Sequence, residues 1–184
     1  MEVEPSPHRK FGTSIHITAI DGIVNVNSLF TLAVFIGLAW NPTDPTNTLV
    51  DDPNCVAGPH VAEDLVSFHV YSFSSFLFSS MIALGLKQAI RIAKINGGPV
   101  ILHDAMIMAK INKTALRVGI LVSAVGSVSG CLFLMLALVN VVQIKLGTLS
   151  CGSVNSYGAI VPLVILVPAG LLIYVGIILY ALTR

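Results

Sequence analysis

The side chains most capable of chemistry in this 184-residue chain belong to three cysteines and five histidines. Thiols can form disulfides, bind metals or act as nucleophiles, and imidazoles can bind metals or exchange protons near neutral pH. The histidines stand at positions 8, 16, 60, 69 and 103, without the paired spacings of zinc sites. The chain also has no nucleophile elbow and no glycine-rich phosphate loop. We therefore expect no enzyme, no metal or other cofactor, and no nucleic-acid partner.

Four apolar runs dictate where these residues must sit. The chain is 55% hydrophobic and only 10% charged, with a mean hydropathy of +0.88. Asp, Glu, Lys and Arg are absent from Ile23–Trp40, Leu65–Leu86, Val118–Ile144 and Ala159–Leu182. Each run approaches or exceeds the roughly 20 helical residues that cross about 30 Å of hydrocarbon. The sequence predicts an all-α membrane protein formed by one domain over 1–184, an antiparallel bundle of spans at about 20–40, 65–90, 115–144 and 159–182.

The loops carry charge of alternating sign, which predicts the orientation. The loop 41–64 holds five acids and no Lys or Arg, and Lys145 is the only charged residue in the loop 145–158. The connection between the second and third spans holds six cations against Asp104. By the positive-inside rule, both termini and residues 87–117 face the cytosol, and loops 41–64 and 145–158 face outward. Since Met1–Lys10 lacks an apolar stretch, we expect the first span to insert as an uncleaved anchor in the plasma membrane or an endomembrane.

Basic and amphipathic features mark the cytosolic side. Lys87, Arg91 and Lys94 share one helical face, where long cationic side chains can reach lipid phosphates. This face is either the ordinary positive-inside signal or a site for anionic lipid. After the breaker at Pro99, apolar residues recur at helical spacing up to Ile111. They predict a short amphipathic helix at the interface, either separate or continuous with the third span.

Small residues on the third span predict a packing face. Gly119, Ser123, Gly126 and Gly130 lie on nearly one side of a helix, where another backbone can approach closely. The partner is either the serine face of the second span, formed by Ser72, Ser75 and Ser79, or another protein. Asn25 and Asn27 are expected to bond to a neighbouring helix or to interfacial water.

These features favour an integral membrane accessory, assembly or scaffold subunit that acts through helix association. Its partners would be the lipid bilayer and another membrane protein or a second copy. The alternative is a small oligomeric channel or transporter component, in which serines together with Asn140 and Gln143 line a polar path. A coupled carrier would normally need a charge within the membrane, which the apolar runs lack. His69 is either a pH-sensitive group or, more simply, a hydrogen-bonded structural histidine.

The predicted orientation leaves one pairing of the three cysteines. Cys55 and Cys151 fall in the two outer loops, whereas Cys131 lies thirteen residues before Ile144, roughly 20 Å below the outer surface. In an oxidising compartment Cys55 and Cys151 should form a disulfide, while Cys131 packs inside the bundle. The alternative is a pair of free thiols in a reducing compartment.

Parts of the chain resemble a family of plant proteins. The segments Asp21–Phe30, Gly126–Met135 and Leu149–Gly152 are similar to those of the maternal effect embryo arrest 60-like membrane proteins. The resemblance extends over the four spans and is weakest in the tails and the first outer loop. It implies a plant membrane protein with a developmental role in the embryo, and it assigns no catalytic residue.

The disulfide gives the first testable prediction. Mass mapping without reductant should recover one peptide that links Cys55 to Cys151, and replacing either residue with serine should abolish it. Free labelling of both thiols in native membranes would contradict the bridge and the oxidising compartment together.

Overall fold

The long apolar runs form four helices that are joined by short connections. The computed structural model describes residues 7–39, 49–50, 52–95, 102–152 and 154–183. Within these ranges the helices are α1 (Pro7–Ala39), α2 (Pro59–Ile95), α3 (Leu102–Leu146) and α4 (Val154–Thr183). All four are long and apolar enough to cross a membrane, and no strand occurs in the described ranges. The all-α fold with four membrane-spanning helices is thereby confirmed.

The helices extend beyond the apolar runs that predict them. The helix α3 has 45 residues, about 67 Å at the usual helical rise, which is roughly twice the thickness of the hydrocarbon. Residues 102–111, expected to be helical at the interface, are its first turns and continue into the third span. The residues at 99–101 lie outside the described ranges. At the other surface, α2 begins at Pro59, so the end of the first outer loop is also helical.

The bundle interior consists of three apolar layers stacked along its axis. One layer lies near Asp21, about halfway along α1, a second at the middle of the bundle and a third near the start of α2. Their buried members are, in that order, Ile20, Ile23, Ala83, Ile120, Ala124 and Ile178; Val34, Phe76, Cys131 and Leu134; and Val61, Leu65, Ala137 and Ile144. The stacked rings of Phe30 and Phe76, with centroids 5.4 Å apart, join α1 to α2 in the middle layer.

Glycines bring α3 against α2. A Cβ atom added at Gly130 would lie 2.7 Å from ring carbons of Phe76, and one at Gly119 would lie 2.7 Å from Leu86. At Gly126 it would lie 3.1 Å from the Cβ of Ser79. Real Cβ atoms essentially never approach to 2.7 Å, so the two closest positions accept only glycine unless the neighbour moves. Of the two partners that the sequence leaves open for this face, the contact observed is with the second span of the same chain.

The four helices are buried to different extents in the bundle. Half of the apolar span of α3 is buried, at 50%, against 6% for α4. Thus α3 is central, and α4 lies at the edge with Pro162 and Pro168 inside it. In a bilayer the exposed apolar side chains of α4 are available to lipid.

Replacing both Gly126 and Gly130 with leucine should destabilise the bundle. The new side chains would meet Ser79 and Phe76 and force α2 away from α3. Overpacking of this kind costs about 1–3 kcal/mol per site, so the melting temperature in detergent should fall by several degrees. The matched control is Gly176→Leu on α4, where an added Cβ meets no atom within 4 Å. Equal melting of both variants would contradict close packing at α3.

Candidate functional site

A layer of polar side chains crosses the bundle between two apolar layers. Asn27 projects from α1, Ser79 from α2, and Ser123 and Ser127 from α3, and each is at most 1% exposed. The two serines of α3 are four residues apart, so they lie on one face, one turn after the other. We call these four residues the polar layer.

The polar layer is bonded from helix to helix. The Asn27 amide nitrogen donates to Ser79 Oγ at 2.8 Å, and the Ser127 hydroxyl donates to the Asn27 amide oxygen at 2.7 Å. Ser79 Oγ donates to the carbonyl oxygen of Ser123 at 2.6 Å, and Ser123 Oγ donates to the carbonyl oxygen of Ser79 at 2.8 Å. Asn27 therefore joins three helices, while the two serines clasp α2 to α3 reciprocally.

A further serine continues this join toward the outer end. Ser72 is fully buried, and its hydroxyl donates to the carbonyl oxygen of Gly130 at 2.8 Å. That carbonyl belongs to the glycine that admits Phe76. The serine face of α2 and the small-residue face of α3 are therefore bonded to each other along two helical turns.

His69 occupies a closed position in the half of the bundle that carries the disulfide. Its side chain is 3% exposed, and Nδ1 lies 2.9 Å from the carbonyl oxygen of Leu65, one turn earlier. A carbonyl oxygen can only accept, so Nδ1 carries the proton in this contact. The ring packs against Gly37 of α1, where a Cβ would collide with it. This geometry matches the structural interpretation of His69.

A disulfide joins the two outer loops. Cys55 and Cys151 are bonded, with Cα atoms 5.7 Å apart, whereas Cys131 is a free, buried thiol. The loops are also paired by backbone bonds of 3.0 Å, from Leu49 N to the Lys145 oxygen and from Thr148 N to the Cys55 oxygen. Gly147 makes the turn after α3 with φ of 98°, which favours glycine. In the chain-entropy model such a bridge contributes about 4 kcal/mol, and less where the membrane already confines the chain.

The cationic face at the other end has a protein contact. Lys87 forms a salt bridge with Asp21 of α1, and both side chains are partly exposed. Arg91 is exposed, and the side chain of Lys94 lies outside the described residues. The lipid contact predicted for Lys87, Arg91 and Lys94 stays a prediction, and the salt bridge of Lys87 ties α1 to α2.

The outward surface of α2 and α3 carries a groove of about 480 Å³. Small residues form much of its lining, and apolar side chains form its walls. Its described lining comes from these two helices alone: Ser74, Ser75, Phe78, Leu121, Val122, Val125, Gly126 and Ser129. We call it the α2–α3 groove. Ser74 and Ser129 each donate to the carbonyl oxygen four residues earlier, at 2.9 Å.

Two of the residue sets named from sequence are brought into contact in the structure. Gly119, Ser123, Gly126 and Gly130 meet α2, and the two outer cysteines meet each other. Sequence reasoning did not distinguish buried Asn27 from exposed Asn25, and it missed the pairing of Asp21 with Lys87. Opposite charges at the same end of two neighbouring spans were the available signal for that pair.

The arrangement is suited to holding helices together rather than to bond chemistry. Within the described residues, no group of three or more His, Cys, Asp or Glu side chains could hold a metal ion. Comparison with protein-family models, curated proteins and solved structures finds no match for this chain.

Asn27→Leu should lower the stability of the bundle while keeping a side chain of similar size. It removes two interhelical bonds and leaves the Ser127 hydroxyl without its acceptor. Such bonds average about 0.6 kcal/mol within membranes and reach about 1.7, so a loss of roughly 1–3 kcal/mol is expected. Asn25→Leu, at an exposed neighbouring position, is the control. Reversible unfolding in mixed micelles measures both, and equal stabilities would remove the structural role of the polar layer.

Proposed function

We propose that this protein is an accessory, assembly or scaffold subunit of a membrane complex, and that it binds a transmembrane helix of a partner in the α2–α3 groove. The observation that carries the proposal is the small-residue lining of a groove on a surface otherwise open to lipid. Between transmembrane helices, lipid supplies no hydrophobic driving force, and close backbone approach becomes the main source of affinity. A groove with this lining offers that approach.

The chemistry of the groove suits a helix. Two of its three serines, Ser74 and Ser129, are already bonded within their own helices and do not need a partner to satisfy them. Their oxygens still have lone pairs, which can accept weak hydrogen bonds from the backbone of a neighbouring helix. The exposed side chains of Val125 and Phe78 supply apolar contact on either side. A partner helix with its own small residues would fit best.

The same contacts argue against conduction through one copy of the chain. The sequence made Ser72 and Ser79 candidates to line a conduction path, but both are buried and bonded to α3. Opening a path would break the bonds that join the helices. A pore within an oligomer is the alternative, and a flux measurement distinguishes it.

The proposal includes an orientation with both termini and residues 87–117 in the cytosol. The charge distribution supports it, since five of the nine acids and no Lys or Arg lie in the loop that the disulfide ties, and most cations lie at the opposite end. By resemblance to the plant family, the complex would serve embryo development. Mapping of the disulfide tests the orientation, because both bonded loops must reach an oxidising compartment. Normal embryos after loss of the gene would count against the developmental role.

Filling the groove should release the partner without unfolding the protein. Val125 is 59% exposed and lines the groove, so Val125→Trp should obstruct it. Leu172→Trp, at a 74% exposed position of α4 away from the groove, is the matched control. In a mild-detergent purification, a stoichiometric partner or second copy should be retained by the native chain and the control, and reduced at least about ten-fold by Val125→Trp.

Two results would contradict this function. One is equal retention by Val125→Trp and Leu172→Trp, which would place the contact elsewhere. The other is solute flux through liposomes that contain the purified chain alone, which would favour the conductor.

A further inference from the structure

A second hollow lies on the opposite side of α3, where α4 meets α1. It has a volume of about 310 Å³, at the lower end of the range for sites that hold small molecules. Side chains from three helices line it, among them Val26 and Phe30 of α1, Ser127 and Cys131 of α3, and Gly170 and Tyr174 of α4. We call it the α4 cavity.

One buried polar group in this cavity has no hydrogen bond of normal geometry among the described residues. The hydroxyl oxygen of Tyr174 is buried and makes no hydrogen bond to a described residue. The nearby polar group is Ser127, which donates its proton to Asn27 and forms no hydrogen bond of normal geometry with Tyr174. A phenol hydroxyl away from water normally finds a partner, because leaving it unbonded costs free energy. The cavity therefore combines an apolar wall with one hydroxyl that is free to donate.

The position of the cavity restricts the source of a ligand. Tyr174 lies nine residues before the end of α4 at Thr183, about 13 Å along the helix, so the hydroxyl sits among the lipid chains rather than the headgroups. Val26 and Leu166, which also line the cavity, are exposed on the surface of the bundle. A ligand can thus enter sideways from the bilayer.

The lining also restricts the chemistry. No described lining residue is charged, so an ionised headgroup would have no counter-charge at this depth. A plain hydrocarbon chain would fill the space but leave the Tyr174 hydroxyl unbonded. We propose that the α4 cavity binds an uncharged membrane lipid whose apolar body carries a hydroxyl or carbonyl oxygen, and that this oxygen accepts a hydrogen bond from Tyr174. Sterols and prenols share this chemistry. The site is separate from the α2–α3 groove.

Photolabelling of the full-length protein in nanodiscs tests the site. Three diazirine probes are compared: a sterol, a long-chain prenol and a phospholipid labelled in its acyl chain. At least one of the first two should label the α4 peptide that contains Gly170 and Tyr174, and excess unlabelled lipid of the same kind should compete. Comparison of the sterol probe with the prenol probe shows which of these two lipids binds.

Two variants separate ligand binding from folding. Tyr174→Phe removes only the hydroxyl and should raise the half-saturating concentration about five-fold, the effect of one hydrogen bond. Gly170→Leu places a side chain where an added Cβ meets no atom within 4 Å, and it should abolish labelling by occupying the cavity. Controls are Tyr71→Phe on the exposed surface of α2 and Gly176→Leu, which also has open space but lies outside the cavity lining. Both should label like the native protein, and all variants should melt within a few degrees of it.

Several outcomes would overturn the proposal. Labelling of this peptide by the phospholipid probe alone would mean that acyl chains merely fill the hollow. Labelling that does not saturate, or that is equal in the native, Tyr174→Phe and Gly170→Leu proteins, would remove the site. Val125→Trp should leave labelling unchanged, so the failure of this site and the failure of the groove as a docking surface are distinguishable.

Discussion

The absence of hydrophobic contrast between one apolar helix and its lipid surroundings is the constraint on which this structure depends. Lipid chains are as apolar as leucine, so burying leucine against leucine does little to join two spans. Association must come from close packing and from hydrogen bonds that have no competitor in hydrocarbon. In this protein both occur at the same interface, where glycines admit α2 to α3 and serines bond the two backbones.

The bundle is tied at three depths by interactions of different kinds. At one end a partly exposed salt bridge joins Asp21 to Lys87, and in the interior Asn27 joins three helices. At the other end the Cys55–Cys151 disulfide joins the loops. An exposed ion pair contributes roughly 0–1 kcal/mol, the disulfide about 4 kcal/mol, and each buried bond about 0.6 kcal/mol, so the buried bonds exceed the ion pair only as a group. The first three helices therefore form the firm part of the bundle.

The fourth helix stands outside most of these ties. Among its described contacts, Ser156 donates to the carbonyl oxygens of Leu146 and Gly147, which holds the start of α4 near the end of α3. Farther along, Ile178 of α4 packs in an apolar layer with α1, α2 and α3, and the α4 cavity opens beside the helix. The polar layer is thus closed by its own bonds, while the outward surfaces carry the groove and the cavity. The candidate interaction surfaces therefore lie on the outside of the bundle, while the contacts of its interior join the helices to one another.

The sequence by itself determined the class of protein and its approximate spans. Apolar runs without charge have few options in water, and their length matches the bilayer. The pairing of Cys55 with Cys151 also follows from sequence, because loop charge assigns both cysteines to one side. The small-residue face of α3 also follows from sequence, because helical periodicity alone places Gly119, Gly126 and Gly130 together.

Only the tertiary structure decided which surfaces meet. Periodicity gives a face but not its partner, and hydropathy marks the apolar part of a helix but not the extension of α3 to 45 residues. The sequence also does not show that Asn27 is buried and Asn25 exposed, because the burial of each residue depends on how α1 is rotated against α2 and α3. The groove and the cavity are hollows between helices, and hollows depend on distances that no single helix encodes.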